Sequence, residues 1–319
     1  MITENITVAF YNVENFFDTV DDPETQDEEF LPDSLSEWDK KKYQNKINNI
    51  AKVISTTTHD GRLPDAVGFC EIENETVIKD LVAKSNLKKR KYLCICSTGQ
   101  DTRGINVGFI YDCSVFDLIG SEELNVVNDN LPYYRTRNVL FVTLKHKATD
   151  ETVYFFINHW PSRRDGEELT EPKRIYAARI LREKIDELLA KEKEAKVIIM
   201  GDLNDSPRNK SILKVLKANS SPVNNELLNP YLKLYDNKQG SHVRDGVWEL
   251  FDNIILSRAF LNGKGLHFKK DNAAILNKDF VLFKNHITGA QKPNRTYGAD
   301  NKYFNGFSDH LAVYVKLGY

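Results

Sequence analysis

The sequence predicts a layered protein of mixed α and β structure with largely antiparallel sheets. Short runs rich in Val, Ile, Phe and Tyr recur along the 319 residues and read as strands. Several follow one another with only turn-like pieces between them, and about four segments of helical period are interspersed. The first and last apolar runs both look central, so one domain over residues 1–319 is the expected organisation.

"ITVAFY" (6–11) reads as the first strand, and the acidic, proline-bearing stretch 18–33 as a surface loop. Ser34 and Glu37 have the spacing of a capping box before a helix that places Tyr43, Ile47, Ile50 and Ile54 on one face. "DAVGFCEI" (65–72) is a short strand with the helix-like "NETVIKDLVAKS" behind it. Strands are expected at 91–96, 105–111, 114–119, 137–145 and 152–158. The longest helix is expected at 171–194, with Ile175, Ala178, Ile180, Ile185, Leu188 and Leu189 on its apolar side. "AKVIIMGDLN" (195–204) is a buried strand entering a polar turn. A helix-like piece at 208–218 and strands near 248–256 and 311–317 follow.

With 41% hydrophobic and 28% charged residues, the chain has the balance of a globular protein long enough to bury a core without disulfides. Its net charge of −2 does not mark a dedicated nucleic-acid binder, although only local charge matters to a phosphate. Cys70, Cys94, Cys96 and Cys113 show no zinc-type spacing and read as reduced thiols. No segment approaches the ~20 apolar residues of a membrane span, and a cytoplasmic location is expected.

The polar residues that interrupt the apolar runs have a common placement. Asn12 follows "TVAFY", Glu71 follows "AVGFC", His159 follows "VYFFIN", and Asp202 and Asn204 follow "KVIIMG". Asp252 precedes "NIILS", and Asp309 with His310 precedes "LAVYVKL". In antiparallel sheets, strand ends and strand starts share an edge, so these segments can meet. Each alone has a bland explanation, because strands end in polar residues where water begins. Together they would bring several carboxylates to one rim, where two charges ~4 Å apart repel by about 4 kcal/mol at an effective dielectric of 20. A divalent cation removes that repulsion. Carboxylate and amide oxygens suit Mg²⁺ or Mn²⁺, and two histidines beside such an ion suit acid–base work.

"YNVENF", "CEIEN", "RGINVGFIYD", "INHWPSRRDG", "MGDLND", "FDNIILS" and "GFSDHLAVYV" together resemble, in order, the motifs of the endonuclease/exonuclease/phosphatase superfamily. The resemblance spans roughly residues 6 to 317 and implies the DNase I-like fold, two packed sheets flanked by helices in four layers. By that similarity Glu71, with Asn12 beside it and Asp309 completing the site, would hold the cation. Asp309 would also orient His310, the candidate base, while Asp202 would position or activate the attacking water. Asn204 would hold a phosphate oxygen, and Asp252 would orient His159 toward the phosphate or the leaving oxygen. Arg163, Arg164, Arg103 and Arg295 are candidate phosphate contacts, each weighed against a solvated or purely structural role. The implied activity is metal-dependent hydrolysis of phosphate esters. A nuclease stands first, and a phosphatase or phosphodiesterase for small-molecule, inositol or lipid-headgroup phosphates is the alternative. A non-catalytic binding module is a further one. The substrate would be a phosphate ester, with nucleic acid among the candidates, and no protein partner is evident. The acidic "DTVDDPETQDEEF" would oppose a polyanion if it lay near the cleft.

Overall fold

The computed structural model describes residues 4–58, 61–127, 136–298 and 301–319. Along the chain run β1 (Asn5–Phe16), β2 (Ala66–Ile72), β3 (Tyr92–Cys96), β4 (Asn106–Asp112), β5 (Phe116–Leu124), β6 (Val139–His146), β7 (Glu151–His159) and β8 (Lys196–Asp202). The short β9 (Ala218–Asn219) and β10 (Leu227–Leu228) precede a hairpin of β11 (His242–Arg244) and β12 (Val247–Glu249). Then come β13 (Asp252–Ser257), β14 (His267–Ile275), the small pair β15 (Leu282–Lys284) and β16 (Gln291–Pro293), and β17 (Val313–Gly318). One sheet has the order β14-β17-β1-β2-β4-β3, the other β5-β6-β7-β8-β13-β10-β9. Pairing is largely antiparallel, with β1/β2, β7/β8 and β9/β10 parallel.

β1 is buried on both faces, which is why its sequence is a continuous apolar run rather than an alternation. Val8 and Phe10 enter the core between the sheets with Phe155, Met200 and Ile254. Ala9 and Tyr11 point the other way, against Ile47, Ile50 and Ile54 of α1 (Lys40–Ser55), and α2 (Glu75–Ala83) extends the same outer layer. On the far side, Ala178, Leu181 and Ile185 of α3 (Glu167–Lys191) cover Phe156, Val197 and Ile199. The result is four layers, helix–sheet–sheet–helix. Gly68 lets the two sheets close, since a Cβ there would stand 2.4 Å from Met200 Sδ.

Local expectations fail at three places. The Ser34 hydroxyl donates to the carbonyls of Glu29 and Leu31, and the cap of α1 is Asp39, which accepts from Lys42 N–H at 2.8 Å. The capping-box pattern therefore fell on a turn ahead of the helix. The expected helix at 208–218 is a single wide turn, Ser211–Val215, closed by Leu216 N–H to Ser211 C=O at 2.9 Å. β14 and a short α4 (Tyr231–Asp236) had no clear sequence period. All four cysteines are free thiols, and no helix among the described residues is long and apolar enough to cross a membrane.

Candidate functional site

The ends of β1, β2, β7 and β8 and the entries to β13 and β17 meet at one edge of the two sheets. Within the second sheet the register places His159 opposite Asp202, and Asp202 opposite Asp252. Asn12 joins the sheets, donating from Nδ2 to Asp202 Oδ2 at 3.0 Å and to Glu71 Oε1 at 3.2 Å. Its Oδ1 accepts from Glu14 N–H at 3.0 Å, so Asn12 turns donors rather than an oxygen toward the carboxylates.

The backbone here is bent into uncommon conformations. Glu14, Asn15, Glu71 and Asn204 have φ of 53°, 49°, 60° and 48°, a region that disfavours side chains by roughly 1–2 kcal/mol each. β1 runs past Asn12 through an irregularity to Phe16, and β2 slips between Cys70 and Ile72. The paired bends bring Glu71 Oε2 to 2.9 Å from Asn15 N–H and aim the glutamate into the cleft.

The histidines are held differently from the sequence expectation. Asp252 Oδ2 lies 2.7 Å from His310 Nδ1 and also accepts from the Ser241 hydroxyl at 2.5 Å. Asp252 therefore orients His310, not His159, and it takes the role expected of Asp309. The reason is the sheet order. β8 stands between β7 and β13, which puts His159 and Asp252 two strand spacings apart, about 10 Å. His310 arrives from the other sheet. Burial opposes charge on its ring, but Asp252 and Asp202 outweigh it and raise the imidazole well above its ordinary range. His310 Nε2 is 3.7 Å from Asp202 Oδ2. Burial pushes Asp202 up to about 6 against the pull of His310.

His159 Nε2 sits 3.8 Å from Asp202 and 3.9 Å from Glu71, and its buried Nδ1 has no hydrogen-bond partner. Burial, then the charges of Arg137, Arg103 and His310, depress it well below its usual range, so it is neutral. Asn204 lines the cleft, and its Nδ2 donates to Trp160 C=O at 3.0 Å.

Glu71, His159, Asp202, Asn204 and His310 line a cleft of about 270 Å³ together with Asp309, Arg103, Arg163, Arg164 and Arg244. Arg163 is buried and spent on the protein, donating to Asn204 C=O at 2.7 Å and Asp205 at 2.8 Å. Arg295 stands behind the cleft, 3.2 Å from buried Glu14 and 3.8 Å from Asp309. Arg103 and Arg164 face the cleft, as does Arg244, which the sequence reading did not single out.

His242 was also missed. It sits at the start of the β11–β12 hairpin, its ring 4.5 Å from His310 and 5.5 Å from Phe251 between centroids. Burial and the charge of His310 push it down to about 3. Only the isolated histidine in "GSHVRDG" hinted at it, with no apolar run to mark a strand.

Among the described residues, two groups of side chains present three donor atoms within 4.8 Å of one another: Cys70, His159 and Asp202, and Asp202, Asp252 and His310. The second contains the Asp252–His310 hydrogen bond, with Asp202 3.7 Å from the far ring nitrogen. Of the carboxylates on the cleft wall, Glu71 and Asp309 are more open than Asp202, their side chains 15% and 31% exposed against 3%.

Residues 7–318 match the model of the Endonuclease/Exonuclease/phosphatase family. No curated protein sequence matches the chain significantly. Among solved structures, an endonuclease/exonuclease/phosphatase family protein from Bacteroides thetaiotaomicron is 17% identical with a TM-score of 0.60, covering 100% of this chain and 99% of that one. A mannosyl-6-phosphatase from the same organism is 18% identical with a TM-score of 0.60, covering 98% and 100%. D. rerio TDP2 complexed with a single-strand DNA product is 16% identical with a TM-score of 0.58, covering 98% of each chain.

Proposed function

We propose that this chain, which belongs to the Endonuclease/Exonuclease/phosphatase family, is a divalent-metal-dependent phosphoesterase acting by direct attack of water on phosphorus. The observation that carries the reading is a charged donor and a basic carboxylate side by side: His310, held by Asp252, 3.7 Å from Asp202. The fold is shared with a protein described as a mannosyl-6-phosphatase and with one bound to a DNA product, which supports phosphate-ester chemistry in general.

Glu71 and Asp309 would hold the cation, and Asn12 would fix Glu71 by its hydrogen bond. Hard carboxylate oxygens suit Mg²⁺ or Mn²⁺. When bound, the ion neutralises phosphate charge and polarises the P–O bond. Asp202, raised to about 6, is basic enough to take the proton of the attacking water and acidic enough to be ionised near neutrality. His310 already carries its proton, so it serves as a cationic donor to a phosphate oxygen and Asp202 as the base. Burial depresses His159 well below its usual range, which disfavours an imidazolium able to protonate a leaving oxygen. The role of His159 is to orient the water or a phosphate oxygen from the wall beside Glu71 and Asp202. Asn204 and Arg163 act as positioning residues, Asn204 through its bond to the Trp160 carbonyl and Arg163 through its bond to the Asn204 carbonyl.

The test is hydrolysis of generic phosphate esters, RNA, single-stranded DNA and plasmid DNA with Mg²⁺ or Mn²⁺ and with EDTA. Turnover is expected only with metal, and is expected to be lost in Glu71→Ala and His310→Ala. Metal-independent hydrolysis, or full activity in either variant, overturns the mechanism.

A further inference from the structure

Three segments bring arginines to the mouth of the cleft: Arg103 from the loop between β3 and β4, Arg164 from the turn after β7, and Arg244 from the β11–β12 hairpin. Their partners leave donors open. Arg103 lies 3.6 Å from Asp101, whose carboxylate is already held at 2.8 Å by Arg137. Arg244 gives one N–H to the Arg163 carbonyl at 3.2 Å, and its nearest carboxylate is the exposed Asp245 at 3.8 Å. Among the described residues, the exposed Arg164 guanidinium has no carboxylate at ion-pair distance. Each guanidinium carries five N–H donors in a fork that suits phosphate or carboxylate oxygens.

Position separates these arginines from the reacting phosphate. His159, Asp202 and His310 are buried at the floor of the cleft, with 4%, 2% and 7% exposure. The side chains of Arg103 and Arg244 are 43% and 35% exposed at its rim. A phosphate on the floor leaves the rim donors to whatever lies beyond the scissile oxygen.

The acidic stretch 18–33 limits how far that group extends. Gln26 N–H bonds the Thr102 carbonyl at 2.8 Å, and Thr25 packs against Gly104, so the stretch lies along the Arg103 loop. Asp21, Asp22, Glu24, Glu28 and Glu29 are exposed there. These charges oppose an extended polyanion that follows the Arg103 loop out of the cleft.

We propose that Arg103, Arg164 and Arg244 form a second anion subsite, and that the substrate is a compact phosphate ester whose alcohol portion carries a phosphate or a carboxylate. This rests on the phosphoesterase reading above.

The experiment compares kcat/KM in the presence of Mg²⁺ for phenyl phosphate and para-carboxyphenyl phosphate, for a hexose monophosphate and a hexose bisphosphate, and for a single-stranded oligonucleotide. The expected result is a preference of about tenfold or more for the doubly anionic member of at least one pair, expressed chiefly in KM. Which pair responds separates carboxylate from phosphate as the second group. The preference is expected to fall in Arg164→Ala/Arg244→Ala, to return in part with the Lys variants, and to shrink as salt is raised. Equal turnover within both pairs, or a preference that persists in the double variant, overturns the subsite and leaves the phosphoesterase reading standing. An oligonucleotide that outperforms every small ester, and loses that advantage in the same variant, overturns the compact substrate. No turnover of any ester with metal present overturns both readings.

Discussion

Asp202 and Asp205 lie three residues apart in "GDLND", are 2% and 0% exposed, and do opposite things. Asp205 is closed on itself. Its Oδ1 accepts from Arg163 at 2.8 Å and from Arg174 at 2.7 Å, and its Oδ2 accepts from the Ser211 hydroxyl. Around Asp202 the polar groups are left partly open. Asp252 Oδ1, His159 Nδ1 and His242 Nδ1 are buried without hydrogen-bond partners, and His159 and His310 stand 3.7–3.8 Å from Asp202, beyond hydrogen-bond contact. A buried charge cluster that satisfies all its members is scaffold. One that keeps donors and acceptors in reserve has room for a water and a phosphate.

Breaking the closed cluster should produce the largest change. Asp205→Ala removes the buried carboxylate shared by Arg163 and Arg174 and is expected to lower unfolding free energy by about 3–5 kcal/mol, read from urea melts. In the open cluster the largest effect falls on rate. His310→Gln should lower kcat by roughly 100- to 1,000-fold. Ser241→Ala removes one hydroxyl from Asp252 and should lower kcat by about tenfold or less, because Asp252 keeps its bond to His310. The smallest effect is a pH shift. The proposed mechanism needs Asp202 ionised, and its carboxyl is raised to about 6, so kcat/KM should fall as pH drops through that region. His310 is the largest of the influences that lower the Asp202 carboxyl, so residual activity in His310→Gln should show this acid limb at higher pH. A limb that does not move would remove Asp202 as the titrating base.

Strand order explains what could be read from the sequence and what could not. The apolar runs around Phe10, Phe155 and Met200 are buried on both faces, so they were plain in the sequence, as was the polar residue ending each. The meeting of His159, Asp202 and Asp252 in register follows from those ends. Which aspartate serves which histidine does not, because His310 reaches Asp252 across the packing of one sheet on the other. Arg163 could not be told from Arg164 by sequence. One turns inward to Asp205 and its neighbour turns outward, and only the fold decides that. His242 lies on a three-residue strand too short to carry a period.

The comparison of Asp202 with Asp205 is tested most directly by the urea stability of Asp202→Asn at neutral pH. The substitution removes a buried charge beside Asp252 while keeping the side chain's shape. The account predicts stability within about 1 kcal/mol of the parent, in a protein that no longer hydrolyses phosphate esters. A loss of several kcal/mol, comparable to Asp205→Ala, would make Asp202 part of the scaffold and contradict the account.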